Sequence, residues 1–407
     1  MKTRHIILVG DGMGDYPLKA LNGSTPLEAA RTPHMDRLVG LGRLGTVRTV
    51  PRGMEPGSDI ANMSLLGYDP MRYHTGRAPL EAASMGVHLS PEDVAFRCNL
   101  VTLALDGENV LRMEDYSAGH ISNEEAHQLI EALKPLTRGK PLSLYPGVSY
   151  RHLLVWHQGV QELVTTPPHD ISGEDIVSYR RVYTEQPFLQ DFIVEAGKIL
   201  ESHEVNRQRS RSGKKPANAV WLWGQGRAPS MPTLRELYGL TGAMISAVDL
   251  LKGLGVYAGL EPVNVPGATG YLDTNYAGKV SAALEALETG SFVYLHIEAP
   301  DEMGHAGDLK RKIEAIEAFD EKVVGPMAEG AMKFDHARIL LVTDHLTPVE
   351  KRTHVSDPVP FLLVDDLKKQ GKPGSSPGRF TEASAEISGW KLDGGPELFD
   401  FFTGKRA

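Results

Sequence analysis

Three short apolar runs in this chain each stop at residues that bind metals or move protons. HIILVGDG reaches Asp11 after Ile6 to Gly10, SFVYLHIEAPDEMGH leads to Asp301 and His305, and ARILLVTDH runs straight into Asp344 and His345. Each run is rich in β-branched and aliphatic residues and too short for a buried helix, which predicts strands covered on both faces. In an open α/β sheet the ligand lies beyond the carboxyl ends of parallel strands. Three strands that end this way can deliver their carboxylates and imidazoles to one place. A buried Asp-His strand end also needs a cation or several donors beside it, because desolvating a carboxylate is costly.

The 407 residues exceed one ordinary core, so two domains are expected. Helical patterns over residues 32–41, 241–254, 276–287 and 308–327 alternate with the strands. The stretch from about 77 to 216 reads differently, with β-like pieces (FRCNLVTLAL, SYRHLLVWH) and helices near 123–133 and 187–201. Residues 1–77 and 217–407 are therefore expected to form the α/β domain, and 78–216 an inserted one. The basic run RQRSRSGKK, 207–215, reads as a solvated loop. A hydrophobic content of 41% with 23% charged residues describes a soluble globular chain, and the net charge of -9 argues against nucleic-acid or membrane partners. Cys98 is the only cysteine, which excludes an intrachain disulfide. The apolar run Ile6 to Gly10 is too short for a signal-peptide core, and a cytoplasmic protein is expected.

The four-residue spacing of Asp301 and His305 lets both face one way if the chain turns helically after its strand. Asp344 and His345 are followed nine positions later by His354. With Asp11 these make three carboxylates and three histidines, enough for two ions, and mixed Asp/His sets suit Mn²⁺ or Zn²⁺ better than all-oxygen sites do. Paired metals recur in phosphoryl transfer because they clamp attacking and leaving oxygens. PGSDIANMSLLGYDP, residues 56–70, adds Ser58 between a Pro-Gly turn and a helix-compatible run. Ser58 reads as a helix N-cap. A hydroxyl at a helix start beside a divalent cation is also an activated nucleophile, and the two roles are compatible.

The ordered set VGDGMGD, PGSDIANMSLLGYDP, TGRAPLEAA, PHDISG, GATGYLDTNYAGK, APDEMGHAGD and TDHLTP resembles the archaeal-type branch of the cofactor-independent phosphoglycerate mutases, within the alkaline phosphatase superfamily. The match runs along nearly the whole chain. The resemblance implies an alkaline-phosphatase-like α/β domain, its mostly parallel sheet sandwiched by helices, with a smaller inserted α+β substrate domain. It further implies two divalent ions, Mn²⁺ first with Zn²⁺ or Mg²⁺ as alternatives, a phosphoserine intermediate, and no need for 2,3-bisphosphoglycerate. By position, Asp11, Ser58, Asp344 and His345 would hold one ion and Asp301, His305 and His354 the other.

A phosphoglycerate substrate carries a phosphate and a carboxylate, which the planar fork of arginine suits. Arg77, Arg97, Arg151 and Arg227 are the candidates, with His169 beside them. His152 and Asp170 resemble positions facing the cleft and are candidates to move protons at the glycerate hydroxyls. Closure of the two domains over substrate is expected, because a phosphoenzyme open to water would hydrolyse. Two departures bear on substrate identity: Leu346 stands where a small polar residue is usual, and Val355 where a serine is common. SAGHIS, YRHLLV, PPHD and RTH with DPVPF also resemble a bacterial branch of proposed homoserine kinases. A homoserine kinase of the same fold is thus the alternative, although no Walker-type loop is present. A non-catalytic metal-binding protein is a third reading, weakened by the intact nucleophile.

Overall fold

In the computed structural model, which describes residues 3–108, 110–368 and 378–406, TRHIILVG forms β1 (Thr3–Gly10), whose last six residues are buried. Continuous burial, without alternation, is what a strand between two helical layers requires. In chain order there follow β2 (Arg43–Val47), β3 (Val94–Leu105), β4 (Leu111–Asp115), β5 (Leu142–Tyr145), β6 (Arg151–Trp156) and β7 (Ala219–Gly226). The remaining strands are β8 (Gly242–Ile245), β9 (Glu261–Val263), β10 (Phe292–Ile297), β11 (His336–Val342), β12 (Val359–Val364) and β13 (Lys391–Leu392).

The chain divides into two units, Met1–His74 with Ser230–Ala407, and Thr75–Pro229. The first unit holds an eight-stranded sheet of order β13-β2-β12-β11-β1-β10-β8-β9. Its pairings are parallel except for those of β12 with β11 and β2. Central β1 pairs Val9 with His296 of β10 on one side and with Val342 of β11 on the other. That register brings Asp11, Glu298 and Asp344 to one level beyond the strand ends, the geometry expected from the three apolar runs. Residues 241–254 are not one helix. They open with β8, whose GAMI pairs in parallel with β10, and only Asp249–Tyr257 is helical. The helix expected over 308–327 runs from Leu309 to Phe319, then through a π-turn, Asp320–Val324, into Gly325–Ala331. At that turn the Asp320 carboxylate accepts from the amides of His34 and Met35, capping the helix Pro33–Val39.

The second unit is built on an antiparallel sheet, β4-β3-β6-β5, with β7 also paired to long β3. The expected return to the first domain at 217 is therefore too early. β7 begins two residues later yet hydrogen-bonds β3 from Ala95 to Val101, so the boundary falls after Pro229. Helices Asn123–Leu133 and Pro187–Ser202 lie as expected and pack Leu129 and Phe192 against Phe96, Cys98, Leu100 and Leu222. Each such fully buried side chain contributes roughly 1.5–3 kcal/mol. The basic run is not a loop throughout: helix Glu204–Arg211 includes its first half, and Arg209 is buried, donating to Glu125 and to the carbonyl of Ala118.

Candidate metal centre

Asp11, Asp344 and His345 offer ligand atoms within 4.8 Å of one another, and Asp301, His305 and His354 do the same. In the first group His345 Nε2 stands 3.4 Å from Asp11 Oδ1 and 3.5 Å from Asp344 Oδ2. Asp344 is held by the amide of Gly12 at 3.1 Å, its neighbour His345 N at 2.9 Å, and Asn62 Nδ2 at 2.7 Å. Gly12 has φ +57°, and a Cβ there would stand 2.5 Å from both Asp301 Oδ1 and Thr347 Oγ1. Only glycine fits this turn.

In the second group, helix Ala299–Ala306 starts two residues after β10 and carries Asp301 and His305 one turn apart, with His305 Nε2 3.3 Å from Asp301 Oδ2. His354 Nε2 reaches Asp301 Oδ1 at 3.4 Å and His305 Nε2 at 2.8 Å. Thr347 ties the groups together: its hydroxyl bonds Asp301 Oδ1 and lies 3.2 Å from His345 Nδ1. The rings of His345 and His354 are 4.0 Å apart.

Burial, then the charges of Asp344 and Asp301, push the Asp11 carboxyl well above its usual range. Burial would do the same to Asp301, but hydrogen bonds from His305 and His354 outweigh it and hold that carboxyl well below. Burial lowers His345 to about 4. It also acts to lower His305, where the bond to Asp301 prevails and raises the imidazole to about 9. Asp11 Oδ1 is sealed from solvent and has no hydrogen-bond partner among the described residues. A buried carboxylate oxygen left in that state beside a second carboxylate is what a divalent cation would satisfy, and oxygen with imidazole nitrogen is a donor set for such ions.

Ser58 is not the helix cap. Gly57 takes the cap position and Ser58 is the first residue of helix Ser58–Leu65, its side chain free to lie 3.1 Å from His345 Nε2. The structure thus brings all seven expected metal residues, Ser58 included, to the carboxyl ends of β1, β10 and β11. Around them stand groups that the sequence did not flag. Asn62, one turn after Ser58, donates to both the Ser58 carbonyl and Asp344 while accepting from the Tyr294 hydroxyl. That i, i+4 spacing was the available signal. His296 is fully buried on β10, with Nε2 3.0 Å from Asp11 Oδ2 and Nδ1 3.3 Å from Ser246 Oγ. Lys312 spends all three donors on Gly14 O, Asp15 Oδ2 and Thr347 O, at 3.0, 2.9 and 2.8 Å, pinning together the loops after β1 and β11.

In the second unit strand parity sorts the remaining candidates. Arg97 and Asn99 of β3 share a face with Trp223 of β7: the Arg97 guanidinium lies 4.1 Å from the Trp223 ring centre, and Trp223 Nε1 donates to Asn99 at 3.1 Å. Arg97 also pairs with Glu81 at 2.9 Å. After burial, the charges of Arg77 and Arg151 lower its pKa, so three arginines gather here. His169 packs edge-on against Trp223 and Tyr116, 3.5 Å from exposed Asp170. His152 is placed otherwise. It faces the opposite side of the sheet, into the core, where it is 2% exposed and its Nδ1 accepts from the Gly147 amide at 3.0 Å. With burial lowering its pKa to about 3, it is a core residue and not a proton carrier at a solvent-facing site. Arg227 is occupied by Glu92 and the carbonyl of Gly159, at 3.4 and 3.2 Å, as a structural ion pair.

Among the described residues no helix is long and apolar enough to cross a membrane. A family model described as 2,3-bisphosphoglycerate-independent phosphoglycerate mutase matches residues 40–206. A protein of that name from Methanothrix thermoacetophila is 53% identical over 97% of this chain and 98% of its own. A probable 2,3-bisphosphoglycerate-independent phosphoglycerate mutase from Geobacter sulfurreducens is 50% identical over 98% of both. Among solved structures, a protein from Pyrococcus horikoshii superposes with a TM-score of 0.82 at 28% identity, covering 100% of this chain and 99% of its own. The cofactor-independent phosphoglycerate mutase from Thermoplasma acidophilum gives 0.64 at 27% identity, with full coverage of both chains.

Proposed function

Because the chain belongs to the 2,3-bisphosphoglycerate-independent phosphoglycerate mutases, a family of isomerases, we propose that Ser58 is the nucleophile through which it interconverts 3- and 2-phosphoglycerate. The observation that carries this reading is the approach of Ser58 Oγ to His345 Nε2 at the meeting point of two Asp/His groups. Asp11, Ser58, Asp344 and His345 would hold one divalent ion and Asp301, His305 and His354 a second, Mn²⁺ before Zn²⁺ or Mg²⁺. Ions held there would lower the pKa of the serine hydroxyl and offset charge on the phosphoryl oxygens. The start of helix Ser58–Leu65 adds its positive dipole end at the same oxygen.

Ser58 Oγ attacks phosphorus, the bond from phosphorus to the glycerate oxygen breaks, and phosphoserine with free glycerate remains. The other glycerate hydroxyl then attacks phosphoserine and restores Ser58. Asp170, exposed beside His169, is the group assigned to exchange the hydroxyl proton. Arg77, Arg97 and Arg151 are assigned the substrate carboxylate, a bidentate partner for a guanidinium. A cytoplasmic location belongs to the same reading, since the one cysteine, Cys98, is buried and unpaired.

Ser58→Ala should lower interconversion by at least about 10³-fold with Mn²⁺ present. Near-wild-type turnover would end the assignment. The names of the relatives give the homoserine kinase alternative no support, and homoserine with ATP should yield no phosphorylated product.

A further inference from the structure

Three polar side chains of the second unit meet apart from every residue assigned above. Asp93 immediately precedes β3, Ser143 lies on β5, and His157 immediately follows β6. Ser143 Oγ is 2.8 Å from His157 Nε2, and His157 Nδ1 is 3.1 Å from Asp93 Oδ1. Asp93 is buried, and its second oxygen accepts from the Ser90 amide at 2.9 Å. Burial alone would raise its carboxyl, but hydrogen bonds from the Ser90 amide, His157 and the Gln158 amide outweigh that and hold it below its ordinary value. An ionised Asp93 keeps the imidazole proton on Nδ1, which leaves Nε2 as the acceptor for the Ser143 hydroxyl. The imidazole is 43% exposed and Ser143 is half-buried, so both are open to solvent. Gln158, whose amide helps hold Asp93, has φ +55°, a conformation that non-glycine residues adopt rarely and that concentrates at functional sites.

The sheet also offers an oxyanion donor. β5 is the last strand of its sheet, and the His157 amide donates to Pro141 O at 2.9 Å. In the antiparallel register that makes Ser143 and Val155 the next mutually bonded pair, so the Leu144 N–H points off the free edge of β5. The amide following a serine nucleophile is a common oxyanion donor in acyl transfer. Tyr145 shares the face of Ser143 and gives a short acyl chain an apolar contact.

We propose that Ser143, His157 and Asp93 form a second nucleophilic site, independent of Ser58, that hydrolyses small carboxylic esters. Ser143 Oγ bonds the ester carbonyl carbon as its proton passes to His157 Nε2. That proton then moves to the alkoxide as the ester C–O bond breaks. Water repeats the sequence on the acyl-serine, releasing the acid and restoring Ser143, so that ester and water give acid and alcohol.

The full-length chain, treated with a fluorophosphonate and mapped by peptide mass spectrometry, should carry an adduct on Ser143 that disappears in His157→Gln. An adduct confined to Ser58, or none, overturns the proposal, and the wild-type chain decides this without any variant. Hydrolysis of p-nitrophenyl acetate should fall by at least about 10²-fold in Ser143→Ala. Interconversion of phosphoglycerates should stay within about twofold, as for distant independent sites. Unchanged ester hydrolysis would reduce the three residues to a staple joining the turn at Ser90 to the ends of β5 and β6.

Discussion

At the scale of single residues, the centre depends as much on the groups that hold ligands as on the ligands. The Asp344 carboxylate accepts hydrogen bonds from the Gly12 and His345 amides and from the Asn62 side chain. Replacing Asn62 by Leu removes that donor, and orienting partners of this kind are worth about 10–100-fold in metal affinity. Titration calorimetry of the metal-free Asn62→Leu chain with Mn²⁺ should show such a loss, with wild-type affinity as the contrary result. Asp301, His305, Asp344 and His345 stand out in the sequence because each closes or follows an apolar run, and Ser58 because it stands between a Pro-Gly turn and a helix-compatible run. Asn62 and His296 do not, since each sits inside a periodic segment whose pattern says only that it is buried. The residue scale is also where His152 was misread: its neighbour Arg151 points to the polar face, and β-strand alternation sends His152 to the other.

At the scale of elements, short helices and strands fix the loops that carry the site. Helix Glu382–Ile387 opens with Glu382, whose carboxylate takes the Asp15 amide at 3.1 Å and the Thr25 hydroxyl at 2.8 Å. Burial raises this carboxyl from 4.5 to about 7. The native chain therefore keeps a proton there that the unfolded chain releases above pH 4.5, and stability drops as pH rises through that window. The stability of the wild type relative to Glu382→Gln should fall by about 2 kcal/mol between pH 4.5 and 7 and then level off. Denaturant titrations at several pH values measure this, and a difference independent of pH would contradict it. The long helices, Asn123–Leu133 and Pro187–Ser202, were legible from their 3.6-residue period. β8 was not, because GAMI is a short apolar run that reads equally as the start of a helix until parallel pairing with β10 decides it.

At the scale of the whole molecule, all seven residues proposed to hold metal belong to one unit, and the other has its own sheet and apolar core. Calorimetry should then resolve a metal-sensitive transition and a metal-insensitive one. Mn²⁺ at about 100 times its Kd should stabilise the first by about 2.7 kcal/mol and leave the second unmoved. Equal shifts in both would show that the units do not melt separately. The sequence by itself determined which residue types stand at the ends of β1, β10 and β11, the α/β class and the family, because apolar runs, periods and ordered motifs are local properties. Tertiary structure alone decided that Gly57 and not Ser58 caps its helix, that β7 belongs with β3, that His152 is core, and that Asp93, Ser143 and His157 meet. Each of these turns on a partner far along the chain or on which face of a strand a side chain takes, and both are settled only when the strands pair.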